Sequence, residues 1–324
     1  MKPKILVTRR IPEEGMKLLE EKFDIDLNDE DRILSKEEII KRLEGKEALL
    51  SLLTDNIDKE IIDKFPDLKV ISNYAVGFNN IDIEAATAKG IPVTNTPGVL
   101  TETTADLAFI LLCSIARRIV EADKFARAGK YKGWAPMLLL GNDVHGKKLG
   151  IIGLGRIGHE IAKRAKGFNM ELLYTDHDRD EEFEKQYNAK KISQEELLKE
   201  SDFVTLHVPL TDETKHLMSE KEFDMMKDTA YLINTSRGEV VDENALVEAL
   251  KAKKIAGAAL DVFEEEPKIH PGLIELDNVI IVPHIGSASK ETRGKMAEMA
   301  AKNMINIFEG KEPLSIANKE VLEK

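Results

Sequence analysis

Cysteine is almost absent from this chain, and its scarcity limits the chemistry that the sequence supports. Cys113 is the only cysteine among 324 residues, which excludes a disulfide within the chain and a metal cluster built on cysteine thiolates. We predict no metal site. Because a single cysteine is typical of proteins in reducing compartments, we also expect a cytoplasmic location.

Long apolar runs and an excess of basic residues are missing as well. No run reaches the length of a membrane span, and the first residues, MKPKILVTRR, lead into a predicted strand instead of the apolar core of a signal peptide. The formal net charge of -12 disfavours nucleic acids and anionic membranes as partners, since both select basic patches. The chain instead has 42% hydrophobic and 33% charged residues, a globular composition over a length that suits two domains.

Short strands and helices alternate through the first part of the chain. Apolar segments predict strands at 5–7, 23–27, 48–53, 70–73 and 91–95. Apolar residues at spacings of three and four predict helices between them, at 13–21, 36–43, 59–65 and 83–89. This alternation indicates a parallel sheet that is covered on both faces.

The stretch 149–176 has the pattern of a dinucleotide-binding βαβ unit. An apolar run leads into a G-x-G-x-x-G turn, a helical pattern follows, and a second apolar run ends at Asp176; the glycines are Gly153, Gly155 and Gly158. The glycines allow a tight turn, the approach of a pyrophosphate and close helix packing. The Asp176 carboxylate would bind the ribose hydroxyls of NAD and repel a 2′-phosphate, so we expect NADH to be preferred over NADPH.

The rest of the chain provides a second sheet and two connecting segments. Thr101 is expected to cap a helix whose residues 105–119 are apolar on nearly every side, and an irregular segment at 129–147 contains Trp134, the only tryptophan. We expect this helix to be covered on both sides, by its own domains and by another subunit; the alternative is a single helix buried entirely in a core. Strands are predicted near 149 and 172 and at 203–206, 231–234, 256–260 and 279–282. A last helix at 290–308 should return to the first domain, and the C-terminal residues are predicted to form a surface tail.

Three segments that follow predicted strands carry the chemistry of hydride transfer to a 2-keto acid. Arg237 can hold a substrate carboxylate through two parallel hydrogen bonds. His284 can donate a proton to the carbonyl oxygen. Glu266 would pair with His284, orient its ring and stabilise its protonated form. Ligands of open α/β sheets bind at the carboxyl ends of strands, where all three residues are expected.

With these motifs the chain resembles the D-isomer-specific 2-hydroxyacid dehydrogenases, most closely their glyoxylate/hydroxypyruvate reductases. The resemblance covers 74–112, 146–176, 232–267 and 278–289. It implies two doubly wound parallel-sheet domains: a flavodoxin-like substrate domain at 1–98 and 287–324, and a Rossmann-type NAD-binding domain at 99–286. The helix and loop at 99–147 would build a homodimer.

The resemblance also assigns roles to individual residues. It implies that Arg237, Glu266 and His284 are catalytic. The cofactor would bind Gly153, Gly155, Arg156, Ile157, Gly158, Asp176, Thr104, Pro209, Thr235, Ser236, Asp261 and Gly286. The substrate would meet Leu53, Val76, Gly77 and Arg237, together with Trp134 of a neighbouring subunit.

The expected activity is therefore NAD(P)H-dependent reduction of glyoxylate or hydroxypyruvate to the D-2-hydroxy acid. A D-lactate or other D-2-hydroxyacid dehydrogenase is an alternative within the same family. Formate enzymes of this superfamily have Gln at the position of Glu266, and phosphite enzymes have Lys at the position of Val76, so both activities are disfavoured. A NAD-sensing scaffold similar to corepressors of this fold is an alternative from a different class.

The chain departs from many glyoxylate reductases at one pair of positions. Those enzymes carry Ser-Arg where this chain has Asp176 and His177, and the basic pair serves NADPH. Asp176 therefore favours NADH.

Overall fold

The chain folds as two units, which the computed structural model describes over residues 1–323. The first unit comprises residues 1–100 and the segment from Ser287 onward, and the second unit comprises residues 101–286. Within residues 1–323, no helix is long and apolar enough to cross a membrane.

Strands and helices are numbered in chain order. The strands are β1 (Lys4–Val7), β2 (Asp24–Leu27), β3 (Ala48–Leu52), β4 (Val70–Tyr74), β5 (Val93–Thr94), β6 (Lys148–Ile152), β7 (Glu171–Thr175), β8 (Lys190–Lys191), β9 (Phe203–Leu206), β10 (Tyr231–Asn234), β11 (Gly257–Leu260) and β12 (Val279–Ile281). The helices are α1 (Glu13–Lys22), α2 (Lys36–Leu43), α3 (Lys59–Lys64), α4 (Ile83–Ala88), α5 (Thr101–Ala116), α6 (Ile119–Arg127), α7 (Arg156–Lys166), α8 (Glu181–Tyr187), α9 (Gln194–Glu200), α10 (Glu220–Met225), α11 (Glu243–Lys251), α12 (Pro271–Ile274) and α13 (Lys290–Phe308).

The first unit contains a five-stranded sheet in the order β2-β1-β3-β4-β5. All of its strand pairs are parallel, with Ile5 paired to Ile25 and to Ala48. Apolar side chains are buried on both faces because helices cover both. This is the flavodoxin-like strand order that the family resemblance implies.

The long helix α13 belongs to the first unit, as predicted. Its buried face, which includes Met296, Ala300 and Met304, shares a core with Met16 of α1. The two helices approach so closely that a Cβ at Gly15 would lie 2.5 Å from the carbonyl oxygen of Ala297. A small residue at that position lets α13 close over the sheet.

The C-terminal residues 312–323 lie mostly at the surface, as predicted, but the prediction missed one buried anchor among them. Asn318 is fully buried. Its side chain accepts a hydrogen bond from the N–H of Val93 at 2.8 Å and donates to the carbonyl of Ile91 at 2.9 Å. The tail therefore satisfies backbone groups at edge strand β5, a long-range pairing that no local pattern reveals.

The second unit contains a seven-stranded parallel sheet in the order β12-β11-β10-β9-β6-β7-β8. The first six strands of this unit follow the Rossmann order, and β12 adds a seventh strand beside β11. The sequence predicted six strands and missed β8, because its two residues are both lysines at a sheet edge and carry no apolar pattern.

Helix α5 is shorter than the predicted apolar stretch. It ends at Ala116, and Arg118 takes a left-handed conformation with a φ of 52° before α6 begins. Thr101, the predicted cap, is the first residue of the helix. Half of the residues of α5 are buried, seven of them in the core of the second unit, but Ile110 remains 58% exposed.

Candidate active site

Three neighbouring parallel strands of the second unit end close to the predicted catalytic residues. Arg237 follows β10, Glu266 follows β11 and His284 follows β12. Because the carboxyl ends of parallel strands share one sheet edge, the fold places this cation, carboxylate and imidazole on the same side of the sheet.

His284 and Glu266 form a direct pair. The Nδ1 atom of His284 lies 2.9 Å from Oε2 of Glu266, and the N–H of Phe263 donates to Oε1 of Glu266 at 3.1 Å. Burial would raise the pKa of Glu266, but the hydrogen bond and charge of His284 and the charge of Arg237 together lower it. Glu266 is therefore a charged partner of the ring. About a third of each side chain is accessible, at 30% for His284 and 31% for Glu266.

Arg237 is held by a polar turn that begins at Asn234. The Asn234 side chain accepts hydrogen bonds from the N–H and hydroxyl of Ser236 and donates to the carbonyl of Arg237 at 2.8 Å. Burial lowers the pKa of Arg237, and the negative charges of Glu266 and Glu239 oppose that effect. Asn234 was not among the predicted site residues, although an asparagine at a strand end commonly accepts a hydrogen bond from the backbone two residues on.

The loops that carry Arg237 and Glu266 are packed backbone to backbone. A Cβ at Gly238 would overlap the carbonyl group of Phe263, so only glycine fits there. In addition, the N–H of Glu264 donates to Glu243 at 2.9 Å, and the N–H of Glu243 donates to Glu264 at 2.9 Å. Sequence reasoning missed this exchange, because nothing in the spacing of the two glutamates distinguishes them from surface residues.

Asp261 holds the loop of His284. Its carboxylate accepts hydrogen bonds from the N–H groups of Ile285 at 2.6 Å and Gly286 at 2.8 Å. The hydroxyl of Thr104 donates to the carbonyl of Gly286 at 3.2 Å. Three residues predicted to bind the cofactor, Thr104, Asp261 and Gly286, are thus in contact with one another, and their cofactor contacts stay a prediction.

The glycine turn has the geometry of a phosphate cradle. Gly153 has a φ of 93°, and a Cβ at Gly158 would overlap the carbonyl oxygen of Gly153, so α7 can approach β6 only with glycine there. A Cβ at Gly155 would meet nothing within 4 Å and would project into open space. The first N–H groups of α7, from Arg156 and Ile157 onward, have no acceptor within the helix, and its first turn carries no acidic residue. The turn therefore fits an anionic group.

Asp176 lies beside this turn, directly after β7. It accepts hydrogen bonds from the N–H of Leu154 at 2.6 Å and from the N–H of His177 at 2.6 Å. The carboxylate is thereby fixed next to the glycine turn, where the ribose of a dinucleotide would bind.

Two further polar groups, which follow β9 and β10 at the same edge of the sheet as the glycine turn, also suit a bound nucleotide. The Nδ1 atom of His207 and the hydroxyl of Thr235 are buried and have no hydrogen-bond partner within residues 1–323. Burial lowers the pKa of His207 to about 3, so the ring is neutral, and its Nε2 contacts Thr205 at 2.9 Å. Pro209, another predicted cofactor contact, is exposed in the same loop.

The other predicted substrate residues are far in sequence from the three catalytic residues, and most of them belong to the first unit. Leu53 follows β3 and is 42% exposed, and Val76 and Gly77 follow β4, all in the first unit. Trp134 belongs to the second unit and is 84% exposed.

Comparison with known proteins identifies the family. The sequence profile of the NAD binding domain of D-isomer specific 2-hydroxyacid dehydrogenases matches residues 109–286. The chain belongs to this family. The matched region of this dehydrogenase includes the glycine turn, Arg237, Glu266 and His284. As a D-2-hydroxyacid dehydrogenase, it is an oxidoreductase that uses a nicotinamide cofactor.

Relatives of this dehydrogenase match it over its whole length. It is 54% identical to a glyoxylate reductase of Korarchaeum cryptofilum, across 100% of this chain and 98% of that protein. The crystal structure of a Thermus thermophilus protein superposes with a TM-score of 0.92 at 44% identity, covering 97% of this chain and 99% of that one. An NADPH-dependent glyoxylate/hydroxypyruvate reductase of Sinorhizobium meliloti, solved with NADP and malonate, has a TM-score of 0.86 at 31% identity and covers 98% and 97%.

Proposed function

We propose that this dehydrogenase reduces glyoxylate or hydroxypyruvate to the corresponding 2-hydroxy acid, in the D configuration where the product is chiral. The observation that carries the proposal is the His284–Glu266 pair, with Nδ1 and Oε2 2.9 Å apart, on the sheet edge that also carries Arg237 and the glycine turn. The glyoxylate reductase relative that is 54% identical over the full chain supports this choice of substrate.

Arg237 is the proposed anchor for the substrate. A guanidinium can bind both oxygens of a carboxylate in one plane, which fixes the position of the adjacent carbonyl group. The partial burial of Arg237 strengthens such an ion pair, because less water competes for the two charges.

His284 is the proposed proton donor. Since its Nδ1 faces the Glu266 carboxylate, Nδ1 carries a proton, and Nε2 is the atom that gives its proton to the substrate oxygen. A reduced nicotinamide, when bound, supplies the hydride to the carbonyl carbon. The hydride and the proton together complete the two-electron reduction, and the reverse reaction returns the proton to Nε2.

Asp176 is the proposed determinant of cofactor choice. Its carboxylate is fixed beside the glycine turn, where it would accept hydrogen bonds from the ribose of NADH and repel the 2′-phosphate of NADPH. The Sinorhizobium meliloti reductase, by contrast, is NADPH-dependent. Because of Asp176, we expect this dehydrogenase to prefer NADH.

A homodimer is the proposed assembly. Several large apolar side chains on α5, α6 and the following segment are exposed, at 58% for Ile110, 54% for Ile119, 84% for Trp134 and 77% for Met137. Burying these side chains against a second copy would be favourable. In that dimer Trp134 would lie near the substrate site of the other subunit.

A panel of 2-keto acids assayed with NADH and NADPH tests the proposal. We expect glyoxylate and hydroxypyruvate to be reduced more efficiently than pyruvate, and NADH to be preferred. Asp176→Ser should relax the cofactor preference by roughly tenfold or more, because it removes the repulsion toward the 2′-phosphate. Wild-type enzyme that prefers pyruvate would favour a D-lactate dehydrogenase, and a protein without turnover would favour a binding role.

A further inference from the structure

Asparagine side chains lie at the carboxyl ends of the neighbouring strands β4 and β5 in the first unit. Asn73 is the penultimate residue of β4 and is fully buried, and Asn95, which is 7% exposed, directly follows β5. Both contact the loop after β4, which contains Val76 and Gly77. Since those residues are substrate contacts only if the chain reduces a 2-keto acid, the inference below rests on the proposed function.

The two asparagines hold consecutive carbonyl groups of that loop. Nδ2 of Asn95 donates to the carbonyl of Val76 at 2.7 Å, and Nδ2 of Asn73 donates to the carbonyl of Gly77 at 2.9 Å. A trans peptide bond is planar, with its N–H opposite its carbonyl. Fixing these two carbonyls therefore fixes the N–H groups of Gly77 and Phe78 in directions that point away from the asparagines.

Those N–H groups are available to a ligand. Within the described residues 1–323, neither the N–H of Gly77 nor that of Phe78 donates a hydrogen bond. Gly77 is half-buried and Phe78 is 38% exposed, so water or a ligand can reach both N–H groups. Two successive N–H groups with fixed directions suit an anionic oxygen pair such as a carboxylate.

A third asparagine extends the network to the neighbouring loop. Nδ2 of Asn80 donates to the carbonyls of Leu52 at 3.1 Å and Asp55 at 3.0 Å, and its Oδ1 accepts from Asn73 at 3.1 Å. These two carbonyls flank Leu53, the other substrate residue predicted in this unit. The network therefore joins both loops that follow β3 and β4.

We propose that Asn73 and Asn95, with Asn80 behind them, are positioning residues that aim the N–H groups of Gly77 and Phe78 at the carboxylate of the 2-keto acid. They act through the backbone and do not touch the substrate. A purely structural role would lower the stability of the fold, whereas a positioning role must also weaken substrate binding in a folded variant.

The test compares Asn73→Ala and Asn95→Ala with wild-type enzyme. We expect the KM for glyoxylate, and the Kd for oxamate measured in the presence of NADH, each to rise by roughly three- to tenfold for each variant. The kcat should change by less than about twofold, because the lost interaction is shared by the ground state and the transition state. The Kd for NADH alone should stay at the wild-type value.

Asn318→Ala is the matched control, since Asn318 is also fully buried and also holds backbone groups of the first unit, at the amino end of β5. It should lower the thermal midpoint and leave the Kd for oxamate unchanged. If Asn73→Ala or Asn95→Ala does not fold, Asn80→Ala, at a half-buried position, should show the same rise in KM.

Folded variants with wild-type affinity for oxamate would overturn the inference, as would an equal loss of affinity in the Asn318→Ala control. Wild-type enzyme that neither reduces glyoxylate nor binds oxamate would instead overturn the proposed function. Measuring the wild type first therefore separates the two failures.

Discussion

At the scale of single residues, the proposed chemistry depends on the charge that Glu266 keeps next to His284. Because the folded-state pKa of Glu266 is lowered, its carboxylate stays charged as the pH falls below its ordinary titration range. Its favourable interaction with His284 is present above the unfolded-state pKa and is lost only as the pH falls through the folded-state value.

Glu266→Gln removes that negative charge at nearly constant shape. The carboxamide lies where the carboxylate was, 2.9 Å from Nδ1 of His284, but it carries no charge to orient the ring or to offset the imidazolium that forms in the reaction. The kcat for reduction should therefore fall by roughly tenfold or more, while the Kd for NADH stays at the wild-type value. Steady-state kinetics with glyoxylate and a binding titration with NADH measure the two effects. A variant with the kcat of the wild type would show that Glu266 does not act on His284.

Asp261 makes a second prediction about pH. Burial raises the pKa of Asp261 to about 6, and the N–H groups of Ile285 and Gly286 oppose that shift. Protonation below this pH weakens the hold on the loop of His284, so the kcat/KM for reduction should fall as the pH drops through about 6.

The stability of the fold should respond to Asp261 in the opposite direction. Because the folded state binds this proton more tightly than the unfolded chain does, the contribution of Asp261 to the free energy of unfolding increases as the pH falls toward the unfolded-state pKa.

Asp261→Asn tests the kinetic prediction. Its kcat/KM for reduction should be low at every pH and should not fall further as the pH drops through about 6. If the variant still loses activity over that range, another group causes the loss.

At the scale of elements, the sequence predicted most of the sheet order but little of the contact between loops. The spacing of apolar residues predicted the first and last residues of α2 and α13 correctly, because each helix combines a capping serine with a regular apolar stripe. The exchange between Glu243 and Glu264 and the close approach at Gly238 could not be predicted, since they join segments that are far apart in the chain and meet only in the folded sheet.

The glycine turn gives a paired test of the cofactor site. Gly155→Ala adds a methyl group to open space, so the fold should tolerate it while the Kd for NADH rises by roughly tenfold or more, as the Cβ enters the space of the pyrophosphate. Gly158→Ala should weaken NADH binding and also lower the thermal midpoint, because its Cβ overlaps the backbone of Gly153. Fluorescence titration with NADH and thermal melting measure both effects. Equal affinity of Gly155→Ala and wild type would place the pyrophosphate elsewhere.

At the scale of the whole molecule, the exposed apolar side chains on α5 and the segment after it predict a dimer. Ile110→Glu places a charge at one of these positions and should give a monomer in sedimentation velocity at micromolar concentration. Ile274→Glu is the matched control, because Ile274 is similarly exposed, at 62%, but lies on α12, so this variant should remain a dimer. A wild-type protein that sediments as a monomer would refute the predicted assembly.

The central claim is that His284 delivers the proton in a D-specific reduction, and the kcat of His284→Ala with hydroxypyruvate and NADH tests it most directly. Wild-type enzyme should convert hydroxypyruvate to D-glycerate. The variant should bind NADH normally while its kcat falls by roughly 10²–10⁴-fold, the loss typical of a missing general acid. A kcat for His284→Ala close to the wild-type value, or L-glycerate as the wild-type product, would contradict the account.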